Sequence, residues 1–214
     1  MGTITALQIQ KRDKERVNVF LDGAYAFSVK LTEAARLHKG QTLTDADIAA
    51  LQTDDAVARA VDRAARFLSY RPRSTAEVRR NLAGKGVDDA VIEAAVQRLD
   101  AMGYLDDHAF ARFWVENRTA FKPRGQRALQ YELHQKGVSR SIIDEVLEDL
   151  DPGEAAYRAA SARLARLRGL DRQTFRNKLG SFLERRGFSY AVINDTLTRV
   201  MDEAEADYFA EDDA

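Results

Sequence analysis

Lys85-Gly86-Val87, Lys136-Gly137-Val138 and Arg186-Gly187-Phe188 repeat one short pattern at intervals of 51 and 50 residues (136 − 85 and 186 − 136). The apolar residues before the glycine keep the same step: Val78, Leu129 and Leu179, then Leu82, Leu133 and Leu183. After it come Ile92, Ile143 and Ile193, then Val96, Leu147 and Leu197, then Leu99, Leu150 and Val200. Agreement at seven positions in three copies identifies one supersecondary unit used three times. Such arrays stack their cores and favour an extended binding surface over a single catalytic pocket.

Punctuation around the pattern makes each unit three helices. In the first repeat, 54–105, a helix over Ala56–Tyr70 is stopped by Pro72. Ser74 caps the second helix, Glu77 completes a capping box, and Gly84 and Gly86 close it. Asp88 caps a third helix that runs to Met102 and ends at Gly103. In the second repeat, 106–151, Asp106 or Asp107 starts a helix carrying Phe110, Phe113, Trp114 and Val115. Lys122-Pro123-Arg124 ends it, 51 residues after Arg71-Pro72-Arg73, and Ser139 caps the helix to Leu150. The third repeat, 152–202, follows Asp151-Pro152-Gly153, stops its first helix at Gly169, and has caps at Asp171 and Ser189. It lacks the proline, as a solvent-facing end copy is free to do. Residues 203–214 are expected to form a disordered acidic tail.

The first 52 residues have a different period. Val17, Val19 and Leu21, then Tyr25, Phe27 and Val29, alternate about Asp22-Gly23, a pair suited to a two-residue type I′ hairpin. With Leu7 and Ile9 they predict a three-stranded antiparallel sheet packed on the helices after it. Those are Thr32 to His38, ended by Gly40, and Thr44 to Gln52, with Thr44 as N-cap and Asp47 as its box partner. The fold class is therefore mainly α: three tandem three-helix repeats behind a small β-rich domain.

Composition narrows the function. The 214 residues hold enough apolar side chains for a real core, at 45%. There is no apolar run long enough for a membrane span and no signal-peptide pattern at Met1-Gly2-Thr3-Ile4. Without cysteine there is no disulfide, thiolate metal site or cysteine nucleophile, which fits a cytoplasmic protein. The net charge of −1 conceals a segregation. Residues 59–200 carry 26 Lys and Arg against 19 Asp and Glu, and 22 of the 26 are arginine. The stretch after Val200 holds seven acids and no base. A cationic body suits nucleic acid or an acidic protein surface, whereas salt-bridged helix faces would make the same charges merely structural.

Catalytic constellations are missing from the pattern. There is no glycine-rich phosphate loop. His38, His108 and His134 fall in unrelated contexts, Asp106-Asp107 reads as helix capping, and Ser74, Ser139 and Ser189 stand where caps belong. No metal and no cofactor is expected, and the protein is not expected to be an enzyme; an enzyme reading would need a buried, pKa-shifted acidic pair. The informative set is basic. Arg71 and Arg73 flank one proline, Lys122 and Arg124 the other. Arg79, Arg80, Lys85, Arg127, Lys136, Arg172, Arg176, Arg185 and Arg186 lie on or just after the second helices. Stacked in register, these helices present a cationic stripe that follows a phosphate backbone or an acidic groove. Glu77, Glu132 and Glu184 are positioned to neutralise about half of it. Tyr104, Phe110, Phe113 and Trp114 read as core between the first two repeats, and Tyr70, Tyr131 and Tyr190 as the aromatics available for base stacking. The acidic tail is placed to compete with phosphate for the stripe.

Several of these segments resemble the RecX family of regulatory proteins. They are Ser74-Thr75-Ala76-Glu77-Val78, Leu82 with Lys85-Gly86, Gly103-Tyr104-Leu105-Asp106-Asp107 followed by Phe110-Ala111, Gly125 with Leu133 and Lys136-Gly137-Val138, and Arg185-Arg186-Gly187-Phe188. The resemblance covers about residues 56–200, and the β-rich start is similar to an extension that some members carry. It implies a non-catalytic modulator that binds the filament of the recombinase RecA on single-stranded DNA, lies along its groove as an elongated array, and lowers its ATPase and strand exchange. That would place it in homologous recombination, DNA repair and the SOS response, as a monomer with RecA and, secondarily, single- or double-stranded DNA as partners. The rival is a stand-alone helical-repeat DNA-binding protein, since three-helix units resemble helix-turn-helix domains.

Overall fold

Each glycine of the repeated pattern takes a left-handed conformation, with φ of 72° at Gly86, 79° at Gly137 and 84° at Gly187. The next residue donates its N–H back to the helix: Val87 to the Leu82 carbonyl, Val138 to Leu133 and Phe188 to Leu183. This is the helix C-terminal lock that glycine permits, made three times. A computed structural model, which describes residues 1–204, sets these locks in two compact units. One comprises Met1–Arg71 with Val78–Leu105, the other Pro72–Glu77 with Asp106 onward.

The first unit starts with strands β1 (Gly2–Ile9), β2 (Arg16–Leu21) and β3 (Ala24–Lys30). Asp22 and Gly23, with φ of 50° and 88°, make the expected hairpin turn between β2 and β3. Helix α1 is one turn, Leu31–Ala34, not the run to His38 that the sequence suggested. Lys30 gives it no side-chain cap, and the chain leaves in three-residue turns. A two-residue strand β4 (Thr42–Leu43) then pairs with Gly2 and Thr3, so the sheet has four strands in the order β3-β2-β1-β4. Two residues are too few to show alternation.

Helix α2 (Asp45–Leu68) is continuous where two helices were expected. Thr44 and Asp47 form the capping box, and the Thr44 N–H and hydroxyl draw the Asp47 carboxyl below its usual range. Thr53-Asp54-Asp55 contains no glycine or proline to break the helix. Asp55 is buried and accepts two hydrogen bonds from the Arg16 guanidinium at 2.9 Å each, tying the sheet to mid-helix. That hydrogen-bonded carboxylate raises the Arg16 pKa. Ile4, Val17, Val19, Phe27 and Val29 form the core beneath the sheet, with Ile48 and Leu51 of α2 packed against it. Helices α3 (Thr75–Ala83) and α4 (Asp89–Ala101) complete the first repeat around Val78, Leu82, Ile92, Val96 and Leu99. The Asp88 side chain makes no capping bond to α4, contrary to expectation.

The second unit carries α5 (Asp107–Phe121), α6 (Gln126–Gln135), α7 (Arg140–Glu148), α8 (Pro152–Leu164), α9 (Arg172–Arg185) and α10 (Tyr190–Ala204). Asp106, Ser139, Asp151 and Asp171 cap through their side chains. Leu129, Leu133, Ile143 and Leu147 centre one core, and Leu179, Leu183, Ile193 and Leu197 the next. Phe110 and Trp114 belong to the second repeat's own core, whereas Phe113 is partly exposed and Tyr104 clearly so. The reason is helical: residues four apart stack more directly than residues three apart. Helix α8 ends at Leu164, before Gly169.

Helix α10 also outruns the expected tail boundary. Glu203 lies on it, accepts the Tyr157 hydroxyl at 2.6 Å and pairs with Arg199 at 3.2 Å. Residues 205–214, most of the expected tail, lie outside the described residues. Among the described residues no helix is long and apolar enough to cross a membrane.

Candidate interaction surface

The basic residues singled out by the sequence divide into structural and surface groups. Lys136 is structural. Its Nζ donates to Glu77 Oε1 at 2.9 Å and lies 4.9 Å from the Trp114 ring centroid. Its carbonyl accepts the Ser74 hydroxyl at 2.6 Å. That hydroxyl also accepts the Glu77 N–H at 3.1 Å, and Ser74 is fully buried, so it is a cap and joint rather than a nucleophile. Asp107 accepts the Thr75 N–H at 2.7 Å, and Asp106 the Ala109 N–H at 2.8 Å. Both carboxylates are thus used at helix starts.

A second joint repeats the first. The Gly125 N–H donates to the Arg186 carbonyl at 2.9 Å, and Arg186 Nη1 donates to the Pro123 carbonyl at 3.1 Å. A Cβ on Gly125 would stand 2.2 Å from the Gly187 oxygen, and one on Gly137 would stand 2.3 Å from the Ala76 Cβ. Backbone approach this close admits only glycine. In the second and third copies the cation-glycine pair is therefore first a packing signature, whereas a Cβ on Gly86 would meet nothing within 4 Å. Sequence reasoning missed this role because carbonyl contacts leave no periodicity.

Elsewhere in the second unit, cations crowd together. The Arg163 and Arg186 guanidinium carbons lie 5.4 and 4.9 Å from the Phe182 ring centroid. Burial, then the charges of Arg124 and Arg163, lower the Arg186 pKa. Arg124 has an acidic neighbour, Glu132, at 3.5 Å, but Glu132 is engaged more closely by Arg118 at 2.7 Å and by the Trp114 indole at 2.9 Å. Next to this group, Arg163, Lys178 and Arg185 border a cleft of about 290 Å³ with Leu167, Asn177 and Ser181. Among the described residues no acidic side chain lines it. A larger groove, about 500 Å³, has Arg127 and Arg176 at its edge, and Arg176 Nη2 also lies 3.4 Å from Asn194 Oδ1.

In the first unit, Arg79 reaches across to α4 and holds Glu93 in a two-pronged pair at 2.7 and 2.9 Å. That arginine draws the Glu93 carboxyl below its usual range. Lys85 instead borders a cleft of about 290 Å³ with Arg59 and Arg63. Among the described residues Asp88 is the one acid lining it. Arg59 and Arg63, like Arg163 and Lys178, were not in the predicted set. The first two share a helix face four residues apart, a readable signal. Lys122 and Arg172 are exposed, Arg71 and Arg73 half-buried, and Arg80 exposed on α3.

Among the expected stacking aromatics, Tyr70, Tyr131 and Tyr190 are 82%, 67% and 80% exposed. His108 Nε2 lies 2.8 Å from Glu145, while its buried Nδ1 has no hydrogen-bond partner among the described residues. Among the described residues no group of three or more His, Cys, Asp or Glu side chains is arranged to hold a metal. The cleft of Arg163, Lys178 and Arg185 adds the Asn177 amide and the Ser181 hydroxyl to its cations, an arrangement that binds anions.

Comparison with known proteins places the same segments in one family. The model of the regulatory protein RecX N-terminal domain matches residues 2–44. Models of the RecX first, second and third three-helix domains match 60–99, 106–147 and 151–197. The chain is similar to the regulatory protein RecX of Bacillus licheniformis, with 36% identity over all of this chain and 81% of that one. It is 34% identical to the protein of the same name from Bacillus subtilis, over 97% of this chain and 80% of that one. A crystal structure of regulatory protein RecX superposes with a TM-score of 0.75 at 30% identity, covering 91% of this chain and 100% of the other. The crystal structure of RecX from Lactobacillus salivarius shares the fold, with a TM-score of 0.62 at 22% identity, over 70% of this chain and 99% of the other.

Proposed function

The chain belongs to the RecX family of regulatory proteins, and from that premise we propose that it binds the RecA filament on single-stranded DNA and lowers its ATPase and strand exchange. The observation that carries this reading is the pair of arginine- and lysine-lined clefts, Arg59-Arg63-Lys85 and Arg163-Lys178-Arg185, set on a repeat scaffold. Guanidinium forks match carboxylate and phosphate equally, so a nucleoprotein surface presenting both is a better fit than a small substrate. The role is regulatory and non-catalytic, in recombinational repair within the cytoplasm, with the protein acting as a monomer. The cations held in structural pairs, Arg79, Lys136 and Arg186, keep the surface in shape. Lys85, Arg127, Lys178 and Arg185 make the partner contacts, with Arg163 beside Phe182.

The rival reading, a stand-alone DNA-binding protein, is favoured by the exposed tyrosines. It predicts tight binding to bare DNA that weakens steeply with salt. Both are tested by titrating the protein into RecA's single-stranded-DNA-dependent ATPase beside direct DNA binding at the same salt. A filament regulator suppresses ATPase at concentrations well below those that coat free DNA. Suppression that begins only as free DNA saturates would assign the protein to the rival class.

A further inference from the structure

The groove bordered by Arg127 and Arg176 differs in kind from the two cationic clefts. Its floor is apolar, made by Phe188, Ile193 and Leu197. Gly180, inside α9, leaves that floor uncovered. A Cβ there would meet Leu197 Cδ1 at 3.6 Å and Ile193 Cγ2 at 3.9 Å, ordinary contact distances. Packing therefore does not require glycine at this position, unlike Gly125 and Gly137, where a Cβ would clash. Glycine in a helix interior lowers stability relative to alanine, so it calls for another reason.

The charges around the floor supply one. Arg176 lies one turn before Gly180 on α9, and its Nη2 reaches only the Asn194 amide oxygen, at 3.4 Å. Arg127 comes in at the other end of α9. Its neighbour Ala128 packs against Gly187, where a Cβ would stand 2.7 Å from the Ala128 Cβ. Among the described residues Arg127 is exposed and has no hydrogen-bond or ion-pair partner. Glu184 is the one acid lining the groove among the described residues, and it pairs with neither arginine. Two guanidinium groups without carboxylates thus flank an apolar floor, and Tyr190, 80% exposed, stands beside it.

We propose that this groove docks a protein segment in which an apolar side chain stands between carboxylates. The apolar side chain fills the space over Gly180 as an anchor, and the carboxylates take the two guanidinium forks. The amides of Asn177 and Asn194 meet the segment's backbone groups. A phosphate strand fits less well: it would leave the floor uncovered and bring like charge to Glu184. The neighbouring cleft of Lys178 and Arg185 has the reverse character, with Leu167 its one apolar side chain among the described residues. The assignment rests on the groove's own lining and not on the filament reading.

The test needs no recombinase, so its result is separable from that of the proposed function. A fluorescent peptide, Asp-Glu-Leu-Phe-Glu-Asp, and a short oligothymidylate of similar charge are each titrated with the full chain at low salt, with anisotropy as the readout. The peptide is expected to bind, and its version with serine for both apolar residues to bind at least about tenfold more weakly, the scale of a lost anchor. Gly180→Leu, which covers the floor, is expected to weaken the peptide at least about tenfold and to leave the oligothymidylate within about twofold. Gly180→Ala, whose methyl fits without a clash, is expected to weaken the peptide about threefold without lowering the melting temperature, so the effect is not one of unfolding. A peptide that fails to bind, binds equally well in its serine version, or is indifferent to Gly180→Leu would overturn the proposal. Parallel loss of peptide and oligothymidylate would overturn it too, by assigning the groove to nucleic acid. Self-association of wild type that Gly180→Leu abolishes would overturn it by assigning the groove to a second copy.

Discussion

Arg79 and Gly180 stand at one position of the repeat, each directly after a fully buried residue, Val78 or Leu179. In the first repeat that position crosses to the next helix and clasps Glu93. In the third, the corresponding residues are Gly180 and Asn194, and a groove of about 500 Å³ opens instead. Beneath both surfaces the core is equivalent: Leu82 and Leu183 are each at 0% exposure. The comparison separates two kinds of position. Buried sites are held alike because volume changes in a packed core are costly. Exposed sites on the same frame are free to become a clasp in one copy and an open groove in another.

The most severe way to break the comparison is in the core. Leu82→Ala and Leu183→Ala are each expected to cost about 2–5 kcal/mol in urea unfolding, the range for emptying a sealed leucine site. A loss below about 1 kcal/mol in one but not the other would mean that the two cores are not equivalent. Next are the pattern glycines. Gly137→Ala combines a left-handed backbone with a methyl 2.3 Å from Ala76, and is expected to cost about 2–4 kcal/mol. Gly86→Ala has the same strain but open space around it, so about 1–2 kcal/mol is expected. Equal losses at the two would remove the joint as the reason for glycine at 137.

Gly180→Ala is expected to act in the opposite direction. Its helical backbone and ordinary contact distances predict a gain of about 0.5–1 kcal/mol, measured as a raised unfolding midpoint. A loss of stability would show that the groove is tighter than its lining implies. The smallest effect belongs to the exposed clasp. Arg79 lowers the Glu93 carboxyl pKa on folding, so the pair's contribution is complete above the ordinary glutamate range. It is lost as pH falls through the depressed value. Wild type and Arg79→Ala should therefore differ slightly in thermal midpoint at about pH 7 and converge as pH falls through the depressed Glu93 value. A difference that grows on acidification would reverse the sign and exclude the pair as its source.

Much of the frame was legible because it depends on local rules. Helix caps at Ser74, Ser139 and Asp171, the Asp22-Gly23 turn and the threefold apolar register each follow from a few neighbouring residues. What escaped depended on distant partners. Helix α2 runs through 53–55 while Asp55 pairs with Arg16, 39 positions earlier. Strand β4 exists only against β1. Helix α10 reaches Ala204 with Glu203 anchored to Tyr157, 46 positions back. The candidate surface was half legible for the same reason. Sequence shows where cations are dense, but a carbonyl contact such as Arg186 to Pro123 decides which of them are spent on structure.

Under the proposed function, exposed cations of the clefts, not those in the joints, carry the regulation. Lys85→Glu, Lys178→Glu and Arg185→Glu combined leave every buried position unchanged, since all three side chains are exposed. RecA's single-stranded-DNA-dependent ATPase, titrated with this variant and with wild type, measures the claim directly. At an unchanged melting temperature, the account predicts at least about a tenfold higher concentration for half-inhibition, the effect of losing about 1.4 kcal/mol or more of binding. Inhibition by the variant at the wild-type concentration would contradict it.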